Sequence, residues 1–341
     1  MKVLITGHQG YLGTVMSQMV TEAGHDVVGL DSGLFADCVL GPELVEPPSL
    51  AVDLRDVTVD QLAGFDAVIH LAALSNDPLG ALAPDLTYDI NHHASVRLAQ
   101  LAKDAGVSRY LYASTCSVYG SAGEDLVNES APLKPLTPYA ESKVRVEDDV
   151  AAIADSSFSP VFLRNATAFG YSPRLRADIV LNNLVGNAVL TGEVRVLSDG
   201  TPWRPLVHAR DIGSAFRECL TAPQDVIHCA AFNVGTEENN QTVAQIAEAA
   251  VAAVPNSTLA ITGETGADPR SYRVDFSAIR AALPGYRAQW SIAAGAKELY
   301  EQCVSGNLTE SLFRQSFTRL AHLKNLCESG AVDDTLRPVA R

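Results

Sequence analysis

Cysteine is sparse and scattered in this chain. Six cysteines (Cys38, Cys116, Cys219, Cys229, Cys303 and Cys327) are spread over 341 residues, with no Cys-x-x-Cys pair and no histidine at zinc spacing. That pattern excludes a disulfide framework and predicts no metal site; it reads as reduced thiols in a cytoplasmic protein. Positive charge is also short. Twenty-five Lys and Arg against 40 Asp and Glu leave a formal charge of −15, which excludes nucleic acid and anionic membrane as partners. An anionic small molecule is still admissible, provided a few arginines cluster locally. No apolar run approaches the ~18 residues that a membrane span needs. The opening MKVLITGHQGYLG is too short in its apolar run, and too early in its glycines, for a signal peptide. Internal repeats and low-complexity tracts are absent as well.

What is present is alternation. The runs KVLIT (2–6), DVVGL (26–30), AVIHLA (67–72) and RYLYAS (109–114) suit buried parallel strands. Between them, residues 11–24 carry Leu12, Val15, Met16, Met19, Val20 and Ala23 at helical spacing, with Gly24 at the stop. Residues 91–106 repeat the scheme. Strand–helix alternation predicts an α/β fold with a Rossmann-like, doubly wound parallel sheet. Past residue 170 the texture turns to arginines, turn residues and short strands, which predicts a smaller mixed α/β domain. FNVGT (232–236) reads as a late strand, so the chain crosses between the domains more than once. The segment 311–329, with Phe313, Phe317, Leu320, Leu323 and Cys327 on one face, is predicted to be one helix.

Gly7, Gly10 and Gly13 follow the first strand directly, at the mouth of the first helix. Glycines there let backbone approach a pyrophosphate, and the helix N-terminus offers free N–H groups. Asp31 closes the second strand, where a carboxylate accepts hydrogen bonds from an adenosine ribose and repels a 2′-phosphate; no arginine follows it. NAD is therefore favoured over NADP. Asp53 and Leu54 stand at a strand end where an adenine edge is read. The domains are placed at 1–171 plus about 201–238 for NAD, and about 172–200 and 239–341 for substrate.

Tyr139 and Lys143 sit one helical turn apart, in a helix that Thr137 caps and Pro138 opens. A free tyrosine titrates near ~10. A lysine one turn away favours the phenolate, so the pair can take a proton from a hydroxyl while the carbon beneath loses hydride to a nicotinamide.

GHQGYLG, Asp31, HLAA (70–73), Asn91, STCSVYG (114–120) and YAESK (139–143) together resemble the extended short-chain dehydrogenase/reductases. These are the NAD-dependent nucleotide-sugar epimerases and dehydratases, of UDP-glucose 4-epimerase type. The resemblance continues through NNL (182–184), GTPWRPLVHARDI (200–212) and DPRSYRVD (268–275). It implies Thr115, Tyr139 and Lys143 as catalytic residues. It implies cofactor contacts from Gly7, Gln9, Gly10, Tyr11, Leu12, Asp31, Asp53, Leu54, Leu71, Ala72, Ala73 and Asn91, besides Tyr139 and Lys143. On the substrate side it implies Ser75, Asn76 and Asp77 at the hexose, with Cys116, Ser117 and Asn165 nearby. Asn183, Leu184, Arg204, Arg270 and Tyr272 would hold the nucleoside diphosphate. A homodimer through helices 91–105 and 139–154 is implied too. Thr167 stands where many relatives carry an asparagine.

The family's 4,6-dehydratases place Asp and Glu directly after the catalytic threonine, and this chain has Cys116 and Ser117 there. A neutral serine cannot abstract a carbon-bound proton, so dehydration is demoted. The reaction ranked first is 4-epimerisation through a transient 4-keto sugar, with the hydride held on bound NADH. A 4-keto-sugar reductase, a GDP-mannose 3,5-epimerase-like enzyme and a non-catalytic dinucleotide scaffold stay open behind it. The base is left open among UDP, dTDP, GDP, ADP and CDP.

Overall fold

The computed structural model describes residues 1–75, 83–121, 126–264 and 270–339. Fourteen strands are formed among these: β1 Lys2–Thr6, β2 Asp26–Asp31, β3 Ser49–Ala51, β4 Ala67–His70, β5 Arg109–Thr115, β6 Leu126–Val127, β7 Ser159–Asn165, β8 Thr167–Phe169, β9 Glu193–Val196, β10 Trp203–His208, β11 Ala230–Val234, β12 Asn240–Thr242, β13 Thr258–Ile261 and β14 Arg273–Val274. Seven of them run parallel in one sheet, in the order β11-β7-β5-β4-β1-β2-β3. Strand alternation divides the core. Val3, Ile5, Leu111, Val161 and Leu163 face one apolar cluster, while Leu4, Val68, Tyr110, Tyr112 and Phe162 face the other. Each such side chain, fully buried, contributes about 1.5–3 kcal/mol, which is why these runs sit in mid-sheet. The four runs read from sequence are all strands, and FNVGT falls on β11.

The helices cover both faces. α1 (Tyr11–Glu22) and α5 (Ala209–Thr221) pack together beside β1 and β5. α2 lies on the other face and is composite: Pro84–Tyr88, a π-helical turn over Asp89–His93, then Ala94–Asp104. α3 (Pro138–Ala152) packs beside it. The predicted helix at 91–106 thus begins earlier and carries a wide turn in its middle.

A third apolar cluster, which includes Phe169, Leu181, Val194, Leu206, Ile246, Leu299 and Phe313, is built from α4 (Val180–Thr191), α6 (Val243–Ala253), α7 (Ile292–Ser305) and the short sheets β12-β10-β8 and β13-β9. β10 joins this smaller sheet, whereas α5, which follows it directly, packs on the large one. His208 marks the crossing.

The segment 311–329 is not one helix. Leu312–Ser316 forms a π-turn, Thr318 is extended, and α8 (Arg319–Glu328) starts afresh. Thr318 Oγ1 donates to the Phe313 carbonyl at 3.0 Å, a local bond that competes with continued helix. Phe313 and Phe317 therefore enter the third cluster, Leu323 enters a different one, and Cys327 is exposed. No helix among the described residues is long and apolar enough to cross a membrane.

Candidate active site

β1 pairs with β2 on one side and β4 on the other, so the chain's direction of winding reverses between β1 and β4. Ligands of open parallel sheets lie at the carboxyl ends of strands at such a point. A cavity of about 940 Å³ opens there, at the upper end of the ordinary size for ligand sites. Among the described residues, six cationic side chains line it (Arg55, Lys143, Arg176, Arg204, Arg270 and Arg319) against three carboxylates (Asp31, Asp53 and Asp178). In a chain of net charge −15, that local excess marks a site for an anionic ligand.

The glycine turn forms one wall. Gly7 has φ +73°, and a Cβ there would stand 2.8 Å from the Ala72 backbone nitrogen. A Cβ at Gly13 would stand 2.0 Å from the Gly7 carbonyl oxygen. Neither position admits another residue, and the result is bare backbone at the N-terminus of α1. Asp31 is oriented by two backbone donors, Gln9 N and Gly33 N, both at 2.9 Å. A side-chain-free cradle at a helix N-terminus beside an anchored carboxylate fits a dinucleotide. Gly7, Gly10, Tyr11, Leu12, Asp31, Asp53 and Leu54 line the cavity, as do Leu71, Ala72 and Ala73. Gln9 stands behind it, its side chain bonded to Glu46 at 3.0 Å. The Asp53 carboxylate is already taken, accepting from Arg55 N, Nε and Nη2 at 2.7–2.9 Å. Asn91 does not reach the cavity. The π-turn swings it inward, where its amide accepts from Leu74 N at 2.7 Å and donates to Leu74 O at 3.1 Å. It holds the loop after β4 in place.

The side chains that the sequence singles out as catalytic meet at the end of β5. Thr137 Oγ1 accepts from Ala140 N at 3.1 Å, capping α3 as read from sequence. Tyr139 and Lys143 then share the helix face that looks onto the cavity, with Thr115 across from them. Lys143 Nζ lies 5.7 Å from the Tyr139 ring centroid and donates to the Ala113 carbonyl at 2.7 Å. Burial lowers Lys143 to about 7, and the Glu147 charge opposes that shift only in part. Arg176 also interacts electrostatically with Tyr139.

Cys116 departs from the substrate-side reading. Thr115 Oγ1 accepts from Ser117 N at 3.2 Å and starts a 3₁₀ turn over Cys116–Tyr119. That turn returns Ser117 to the cavity and drives Cys116 into the core. The Cys116 Sγ lies 3.1 Å from the Arg164 carbonyl oxygen and is 1% exposed. Burial raises the thiol well above the ordinary cysteine range, so no thiolate forms near neutral pH. Cys116→Ser should therefore keep most of the activity, whereas Thr115→Val should lose most of it. Initial rates on matched preparations check this.

At the far end, Arg270 Nη1 donates to Ser117 Oγ at 3.4 Å, and Arg204 Nη1 donates to the Arg270 carbonyl. Tyr272 is buried, and burial pushes it up to about 12. Asn165, Thr167, Asn183 and Leu184 line the same end, with Asn183 Nδ2 donating to Ala177 O at 2.8 Å. Ser75 lines the cavity, and Asn76 and Asp77 lie outside the described residues. Arg174, Arg176 and Arg273 have the sequence character of solvated surface charges, and the structure separates them. Arg174 is in fact buried, donating to the Ala36 carbonyl at 3.0 Å. Arg176 faces the cavity, paired with Asp178 at 2.8 Å and bonded to Ser75 Oγ at 2.9 Å. Arg273 stacks over Trp203 at 5.2 Å. The Arg176-x-Asp178 spacing was the available signal for that pair. Arg319 had none.

The family model for the NAD dependent epimerase/dehydratase family matches residues 3–235. The chain belongs to that family. The chemistry of its members is NAD-dependent epimerisation or dehydration of nucleotide sugars, and the fold is that of the extended short-chain dehydrogenase/reductases. The UDP-glucose 4-epimerase of Mycolicibacterium smegmatis is 28% identical over 313 residues, covering 88% of this chain and 98% of the relative. That of Streptomyces lividans is 32% identical over 149 residues, which span 43% of this chain and only 45% of the relative. Among solved structures, MoeE5 in complex with UDP-glucuronic acid and NAD superposes with a TM-score of 0.77 at 27% identity, covering 89% of this chain and 99% of MoeE5.

Family membership sharpens one expectation. NAD should bind more tightly than NADP, and Asp31→Ala should weaken NAD by about tenfold or more, the size of a lost charge-assisted hydrogen bond. Calorimetric titration measures both, and tighter NADP binding would contradict the assignment.

Proposed function

We propose that the protein is an NAD-dependent nucleotide-diphosphate-sugar epimerase acting at C4 through a transient 4-keto sugar. The observation that carries this reading is the composition of the catalytic corner. Thr115, Tyr139 and Lys143 line one cavity with the glycine turn, and the two positions after Thr115 offer no carboxylate. NAD, when bound, supplies a reversible hydride acceptor for the C4 carbon. Thr115 Oγ1 orients the C4 hydroxyl, and the Tyr139 phenolate takes its proton. Lys143 supplies the positive charge that favours that phenolate. Each negative charge brought beside it favours its own protonated form in turn. The 4-ketone presents its other face, and Tyr139 returns the proton to the new alkoxide.

UDP is the favoured nucleotide, since the curated relatives are UDP-glucose 4-epimerases and MoeE5 holds a UDP sugar. Arg204 and Arg270 are assigned to its diphosphate, where guanidinium forks suit phosphate oxygens. The inward-facing Cys116 sulfur weighs against a thiol acid/base and hence against the 3,5-epimerase reading. Incubation with UDP-glucose, and separately with UDP-glucuronic acid, should yield the C4 epimer by NMR without added reductant. Stoichiometric consumption of NADH on a 4-keto sugar, with no epimer from either substrate, would replace this reading by the ketoreductase one.

The domain division at 1–171 plus about 201–238 against about 172–200 and 239–341 is part of the proposal, as is a cytoplasmic location. So is a homodimer pairing α2 and α3 with their copies in a four-helix bundle. Light scattering at micromolar concentration should return about twice the 36.2 kDa chain mass; a monomer would contradict it.

A further inference from the structure

The C-terminal segment crosses the mouth of the cavity at the adenosine end. Its apolar side chains Leu323, Val332 and Leu336 pack with Leu34, Leu74 and Ile90, joining the loops after β2 and β4. Polar bonds fasten the same segment to the loop after β3. Arg55 Nη2 donates to Thr335 O at 2.9 Å, and Arg337 pairs with Asp56. His322 Nε2 lies 2.8 Å from the Leu34 carbonyl oxygen. Leu323 and Leu336 line the cavity, together with Arg319 at the start of α8.

Arg319 is the feature that this arrangement leaves unexplained. Its side chain is buried, with the residue 5% exposed, and it stacks over the Phe35 ring at 4.2 Å. Nη2 donates to the Arg174 carbonyl at 3.3 Å, but Nη1 has no hydrogen-bond partner among the described residues. The Cys38 thiol lies near it, and a neutral thiol is only a weak acceptor. Burial and the neighbouring Arg176 charge lower Arg319 to about 10. A guanidinium buried with an idle donor is destabilising unless an anion completes it. Its position says which anion. Arg174, whose carbonyl it touches, reaches Thr14 Oγ1 in the first turn of α1 at 3.1 Å. Phe35, on which it stacks, follows Asp31 by four residues. Arg319, which lines the cavity, is thus linked through Arg174 to the first turn of α1 and through Phe35 to the loop after Asp31, the two ends of the interval that the diphosphate of a dinucleotide spans.

We infer that Arg319 binds the diphosphate of NAD, and that the segment carrying it covers the adenosine end of the site. This residue lies outside the part matched by the family model, 3–235. The inference rests on NAD dependence and not on the C4 reading. Its consequence is retention: a cofactor that must be returned to its starting state in each turnover is held by a cation that only the assembled C-terminus supplies.

Calorimetry and thermal melting of wild type and Arg319→Met test it with NAD, ADP-ribose and adenosine as probes. Arg319→Met should bind NAD and ADP-ribose about tenfold or more weakly and adenosine unchanged. Its cofactor-free melting temperature should be unchanged or higher, because an incompletely bonded buried charge is gone. Arg319→Lys should recover part of the affinity. Equal NAD and ADP-ribose binding by wild type and Arg319→Met would overturn the inference, as would an equal loss for adenosine or a lowered melting temperature without cofactor. A wild-type chain that fails to bind NAD would overturn the family reading beneath it.

Discussion

Tyr139→Phe is expected to lower turnover by ~10²–10⁴-fold, the usual contribution of a positioned acid/base. Binding of NAD and of the nucleotide should stay close to wild type, because the ring remains and only the phenolic oxygen is lost. Among the described residues, nothing else at this corner replaces that oxygen. Thr115 is a hydroxyl whose own Oγ1 lies 3.2 Å from Ser117 Oγ, and Ser117 is in turn tied to Arg270. Steady-state kinetics and calorimetry check the two halves of the expectation. Activity above half of wild type would remove Tyr139 from the mechanism.

The largest expected loss of stability lies one layer below, at Glu147. Its carboxylate pairs with Arg164 at 2.6 Å, with both partners under a tenth exposed. Arg164 Nε also donates to both Glu147 oxygens at 3.1 Å. Arg164 Nη1 donates to Tyr119 OH at 3.1 Å, and Tyr119 OH donates to Asn233 Oδ1 at 2.7 Å. Ser114 Oγ adds a further bond to Glu147. The network ties α3 to the ends of β5, β7 and β11, and so holds Tyr139 and Lys143 against Thr115. Glu147→Ala leaves a buried guanidinium uncompensated, for which about 3–5 kcal/mol of destabilisation is typical. Against a total stability of about 5–15 kcal/mol, that is a large fraction. Denaturant melts should show it as a lower midpoint, and Glu147→Gln should recover part of the loss by keeping a hydrogen-bond acceptor. A midpoint within error of wild type for Glu147→Ala would show the pair to be energetically idle.

The large sheet was legible because parallel strands buried on both faces must be apolar along their whole length, as KVLIT and RYLYAS are. The glycine turn before α1 was legible because close backbone approach demands glycine at fixed places, and Thr137-Pro138 advertises a helix start. Thr115 and Ser117 face the cavity and Cys116 the core, but Ser117 owes its place to a 3₁₀ turn begun by the Thr115 side chain and not to continued strand. What escaped the sequence depends on non-local partners. Asn91 reads as a cofactor contact until a π-turn points it at the Leu74 backbone. The face at 311–329 reads as one helix until Thr318 bonds back to Phe313 and separates it. Arg319 lies 288 residues from Asp31 along the chain, and no spacing rule connects them.

Conversion of the nucleotide sugar in deuterium oxide tests the central claim most directly. If Thr115, Tyr139 and Lys143 carry out oxidation and reduction at C4 alone, the transferred hydrogen never exchanges with water. NMR of the product should then show inversion at C4 and no deuterium on any carbon. Deuterium at C3 or C5 would mean that a carbon-bound proton is removed by a base at this site, and would contradict the C4 mechanism.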